Sequence, residues 1–101
     1  IWDDTVAAAA ATRSIEIEKS FSHTRPDGRT FATAITDLGI TYRGAGENIA
    51  WGQKTPETVM NAWMNSEGHR ANILNPNFKK LGVGYRTNGQ GTPYWTQLFT
   101  Y

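Results

Sequence analysis

The sequence predicts an α+β domain built on an antiparallel sheet, with helical patterns first and alternating strands last. Three observations carry this. An Ala-rich amphipathic run follows Trp2-Asp3-Asp4. A helix start is written at Thr55-Pro56-Glu57. Two alternating runs near the end are joined by Asn88-Gly89-Gln90-Gly91, the pattern of a hairpin. The chain has 101 residues, 39% of them apolar and 19% charged. That is the size and balance of one folded domain spanning residues 1–101, too apolar for a disordered chain.

Taken in order, the first element is a helix over residues 3–20. Trp2, Val6, Ala9, Ala10, Arg13, Ile17 and Phe21 recur at helical spacing, and Asp3 and Asp4 favour the positive end of the helix dipole. Its alanines let another element approach closely. A loop follows from Ser22, with turn chemistry at Pro26-Asp27-Gly28. Thr30 is expected to cap a short helix with Phe31, Ala34, Ile35 and Leu38 on one face and Gly39 at its stop. Ile40-Thr41-Tyr42 reads as a short strand. In the next helix, Thr55 is the N-cap, Pro56 takes the first position, and Val59, Met60, Trp63 and Met64 form the apolar face. Gly68 is expected to end it. Arg70 to Leu74 reads as a short apolar anchor, with Asn72 satisfying nearby backbone. Leu81 to Arg86 alternates, with Leu81, Val83 and Tyr85 on one side, and pairs with Tyr94 to Tyr101. Trp51, Trp63 and Trp95 are expected in the core.

Composition excludes several function classes. The formal net charge is +1, which gives no electrostatic footprint for nucleic acid. No run reaches the roughly 18 apolar residues of a membrane-spanning helix. Cys is absent, so disulfides, thiolate zinc sites and a Cys nucleophile are excluded.

The residues suited to chemistry are few. His23 and His69 are the only histidines, and both lie in polar, turn-rich strings. Imidazole is the side chain that binds transition metals or moves protons near neutral pH. Glu47 enters the apolar segment Asn48-Ile49-Ala50-Trp51, where a carboxylate needs a partner. Protonated His, a metal or backbone N–H groups would each serve. Ser66, Glu67 and His69 lie close in sequence, but no Gly-x-Ser-x-Gly elbow or His-Glu-x-x-His helix supports a known hydrolase pattern.

Several strings occur in one order: Ser22-His23-Thr24-Arg25-Pro26-Asp27-Gly28, Gly46-Glu47-Asn48-Ile49-Ala50, Ser66-Glu67-Gly68-His69-Arg70-Ala71-Asn72-Ile73-Leu74, Leu81-Gly82-Val83-Gly84 and Tyr94-Trp95-Thr96-Gln97. Together they resemble the bacterial branch of the CAP superfamily, named for cysteine-rich secretory proteins, antigen 5 and pathogenesis-related proteins and also called SCP domains. The resemblance covers essentially the whole chain. It implies an α-β-α sandwich around a central antiparallel sheet. It also implies a cleft in which His23, His69 and Glu47 could hold zinc or another divalent metal, with Ser66, Glu67, Asn48 and Arg70 as further cleft residues. Where eukaryotic relatives place a second Glu on the helix, this chain has Ser66. An extracellular or cell-wall location is implied, with a small molecule, lipid or cell-wall component as partner. A hydrolase is the alternative, with Glu47, His69 and His23 as catalytic candidates and a Glu- or metal-activated water. A structural domain without chemistry is the other. Bacterial relatives usually open with a helix before the junction that Ile1-Trp2-Asp3 matches. The domain is therefore expected to lack that first helix, leaving an apolar sheet face partly uncovered unless a partner chain fills it.

Overall fold

The computed structural model describes residues 1–101. It contains helices α1 (Asp4–Lys19) and α2 (Thr33–Thr36), strand β1 (Ala45–Trp51), helices α3 (Pro56–Met64) and α4 (Glu67–Leu74), and strands β2 (Lys80–Thr87) and β3 (Pro93–Thr100). The strands form one antiparallel sheet in the order β1-β3-β2. The α+β class and the terminal hairpin therefore hold.

Successive strand residues point to opposite faces, and each face has its own core. On one, Leu98 packs with Val6, Ala9 and Ala10 of α1 and with Ala34 and Ile35 of α2. On the other, Ala50 and Trp95 pack with Val59 and Trp63 of α3. The sheet thus lies between helical layers. Helix α1 begins where its sequence predicts, because the Asp3 carboxylate accepts the free N–H groups of Thr5 and Val6 at 3.0 and 2.9 Å.

The alanines of α1 meet glycines of β2. A Cβ on Gly82 would lie 2.2 Å from the Ala7 backbone nitrogen, and one on Gly84 would lie 2.3 Å from the Ala10 carbonyl oxygen. Only glycine permits that approach. Leu81 and Val83, on the other face of β2, are half-buried, and Tyr85 is exposed against Trp95 with ring centroids 4.4 Å apart.

Four local expectations are corrected. Ile40-Thr41-Tyr42 is not a strand; Ile40 and Tyr42 pack against the α1 core while the sheet strand starts at Ala45. Around the start of that strand, aromatic rings of Tyr101 and Phe78 occupy the space that Cβ atoms on Gly44 and Gly46 would need. The helix expected from Thr30 shrinks to Thr33–Thr36, because Thr30 pairs with Thr24 across the preceding loop. Gly68 does not end the helix that begins after Thr55: α3 stops at Met64, Ser66 is extended, and α4 restarts at Glu67 with Gly68 in its first turn. Trp51 is no core residue; it is 56% exposed at the end of β1.

Candidate functional site

Strand β1 organises the site through two neighbouring residues that face opposite ways. Glu47 faces α1, and its side chain is fully buried. Its carboxylate accepts from Arg13 Nε at 2.6 Å and Nη2 at 3.1 Å, and from His23 Nδ1 at 2.8 Å. Arg13 itself sits on the buried stripe of α1 between Ala9 and Ile17. Burial works to lower its pKa, but bonds to Glu47 and Glu16 outweigh that and raise it. Arg13 also donates to the Ser22 carbonyl, next to His23.

The loop carrying His23 is fixed by ion pairs. Arg25 donates to Glu16 at 2.8–3.1 Å, to Asp37 at 3.0 Å and to the Thr33 hydroxyl at 2.9 Å. Arg29 bridges Asp27 and Asp37. The turn at Asp27-Gly28 forms as predicted, with Gly28 at φ 90° and Asp27 accepting the Arg29 N–H. Because an ionised carboxylate only accepts, His23 carries its proton on Nδ1, and the exposed ring presents Nε2.

Asn48 faces the α3–α4 layer and is fully buried. Its Nδ2 donates to the His69 carbonyl at 3.1 Å and to Gln97 Oε1 at 3.0 Å. Its Oδ1 accepts from Asn72 Nδ2 at 2.9 Å, and Asn72 also donates to the Glu47 carbonyl at 3.2 Å. This amide ladder docks α4 on β1. Ser66 stands at the N-cap of α4 but caps nothing. Its hydroxyl instead meets His69 Nδ1 at 2.8 Å, the i,i+3 neighbour. Burial, and then the nearby His23, lower the pKa of His69.

The structure thus ties both histidines to one strand and engages Glu47, Asn48 and Ser66 around them. Glu67 and Arg70 stay outside: both are exposed, and Arg70 turns back to the Met64 carbonyl at 3.3 Å. Arg13 is the residue that sequence reasoning missed. Its signal was a cation inside an apolar stripe, which requires a buried carboxylate opposite.

Two imidazoles, each with Nδ1 engaged by a protein partner, supply the donor type of a zinc shell but only half its number. Glu47 does not fit as a third ligand, because both its oxygens are already bound. No group of three or more metal-ligating side chains converges in the structure. Nor do the residues form a hydrolytic triad: the carboxylate orients His23, whereas the hydroxyl belongs to His69.

Comparison with known proteins matches residues 1–99 to the model of the cysteine-rich secretory protein family, CAP. The chain is 48% identical over 99 residues to the uncharacterized protein YkwD of Bacillus subtilis (strain 168), covering 96% of this chain and 37% of the relative. It is 31% identical over 100 residues to the uncharacterized membrane protein YlbC of the same organism, covering 97% of this chain and 28% of the relative. An extracellular protein containing an SCP domain from Bacillus anthracis superposes with TM-score 0.88 at 34% identity, over 98% of this chain and 32% of that one. An outer surface protein from Borrelia burgdorferi superposes with TM-score 0.87 at 25% identity, over 98% and 74%. The chain therefore spans about a third of the length of the curated relatives it matches.

Proposed function

The chain belongs to the cysteine-rich secretory protein (CAP) family, and from that membership we propose that it is an extracellular ligand-binding module whose working site is the cleft between His23 and His69. The observation that supports this reading is the matched use of the two rings. Each spends Nδ1 on a protein partner, Glu47 for His23 and Ser66 for His69, both at 2.8 Å. Each therefore has Nε2 left for something outside the chain. A divalent cation is one such ligand. His23 and His69 would hold it, Glu47 would orient His23 from behind, and the remaining positions would go to water or a small molecule. When bound, the ion would act as a Lewis acid on that molecule.

The test is calorimetric titration of zinc into the native chain and into His23→Ala and His69→Ala. The native chain is expected to bind, with each variant at least tenfold weaker. Equal uptake by all three would overturn the reading.

A second reading is structural, and the full engagement of Glu47 by Arg13 and His23 favours it. On that reading His23 closes the loop over the sheet and binds nothing. Replacing His23 would then lower the melting temperature without altering the binding of any ligand.

A further inference from the structure

Beside His69, an open groove of about 260 Å³ runs along the end of β1. Trp63 lies at its inner wall, and Trp51 and Phe21 flank it with 56% and 49% of their surface exposed. Its polar members are Gln53, Ser66 and His69: an amide, a hydroxyl and an imidazole. No Lys, Arg, Asp or Glu lines it. Such a groove offers no counter-charge to a fatty-acid carboxylate, a phosphate or an ammonium drawn out of water. It suits an uncharged ligand with one flat apolar face and a rim of hydrogen-bonding groups. A pyranose ring has both, and an exposed indole is a suitable surface for its C–H face.

Gln53 narrows the class. Its Oε1 is shielded from solvent and accepts no hydrogen bond, whereas its backbone carbonyl is fixed by the Trp95 indole N–H at 2.8 Å. With the oxygen turned inward, the Gln53 amide has its N–H groups left for the groove it lines, and these call for a carbonyl on the ligand. An acetamido group supplies that carbonyl, and its methyl suits the apolar wall. An extended peptide fits less well. The carbonyls of Glu47 and Ile49, on the free edge of β1, already accept from Asn72 Nδ2 and Trp63 Nε1, each at 3.2 Å. That edge is closed to strand addition.

We infer that this groove binds an N-acetylhexosamine unit of a glycan, with the sugar ring on Trp51 and the acetamido group toward Gln53. The inference rests on the reading of the His23–His69 cleft as a binding site, since Ser66 and His69 belong to both.

The test is an NMR titration of the chain with triacetylchitotriose, with cellotriose and with zinc alone. Triacetylchitotriose is expected to bind at least tenfold more tightly than cellotriose, with shifts at Trp51 and Gln53. Trp51→Ala is expected to weaken it about tenfold or more, about 1.4 kcal/mol, and to leave zinc binding unchanged. Phe21→Ala, also at an exposed position, repeats the test independently. Equal binding of the two sugars, or sugar binding indifferent to both substitutions, overturns the inference. Zinc binding without any sugar binding overturns it alone, whereas absence of both overturns it together with the function proposed above.

Discussion

The loop that carries His23 and the helix that carries His69 meet the same strand from opposite faces and are fixed by different chemistry. On the His23 side the work is ionic: Arg13, Arg25 and Arg29 reach Glu47, Glu16, Asp37 and Asp27. On the His69 side it is neutral: Asn48, Asn72 and Gln97 pass hydrogen bonds between amides. A loop without regular structure needs partners strong enough to define its path, and charge-assisted bonds supply them. A helix arrives already ordered and needs only register, which an amide ladder specifies. The Arg13–Glu47 pair is buried outright, whereas the Arg29 pairs are exposed and worth little.

Arg13→Met gives the largest expected change. It strands the Glu47 carboxylate in a buried site, at a cost of about 3–5 kcal/mol, read as a lower urea midpoint. His23 is also expected to lose its fixed ring position, visible as averaging of its NMR signals. Asn48→Ala is expected to cost less, about 1–3 kcal/mol, because it leaves neutral partners unsatisfied. Its effects should centre on His69 and α4 and spare His23. An equal or larger loss for Asn48→Ala would erase the distinction between the two halves.

The sequence shows this asymmetry only in part, and the reason is range. Helices α1 and α3 were legible because their caps, Asp3 and Thr55, act within three residues. The β2–β3 hairpin was legible because its alternation and turn are local. Strand β1 was not, because Gly44 and Gly46 are glycines for the sake of Tyr101 and Phe78, rings more than thirty residues away in Phe78's case and more than fifty in Tyr101's. Glu47 drew notice as a carboxylate entering an apolar segment, but its partner Arg13 lies 34 residues earlier. Trp51 looked like core because nothing in its neighbours tells a buried indole from one at a groove's rim. The α4 start was hidden by Gly68, whose flexibility suggested a stop while Ser66 had already made the break.

Acidification gives the smallest free-energy change but separates the two halves most cleanly. Burial, and then His23, lower the pKa of His69 below its ordinary 6.5. A histidine held neutral by the fold contributes stability that is present above 6.5 and lost as the pH falls through the lowered folded value. Burial alone would raise the pKa of Glu16, but the bonds from Arg25 and Arg13 outweigh it and hold it below 4.5. Arg29, and then Arg25, hold Asp37 below 3.8. A depressed carboxylate contributes stability present above the unfolded value and lost as the pH falls through the folded one. The His69 half is thus expected to loosen first, below 6.5, and the His23 loop only below about 4.5. The His69 and Glu16 contributions are each about 1 kcal/mol or less, given solvent screening. Amide exchange followed from pH 7 to pH 3 reads both steps. Loss of protection at α4 and at the His23 loop together, in one step below pH 4.5, would mean that the two sides of β1 answer to a single cooperative unit rather than to their separate chemistries.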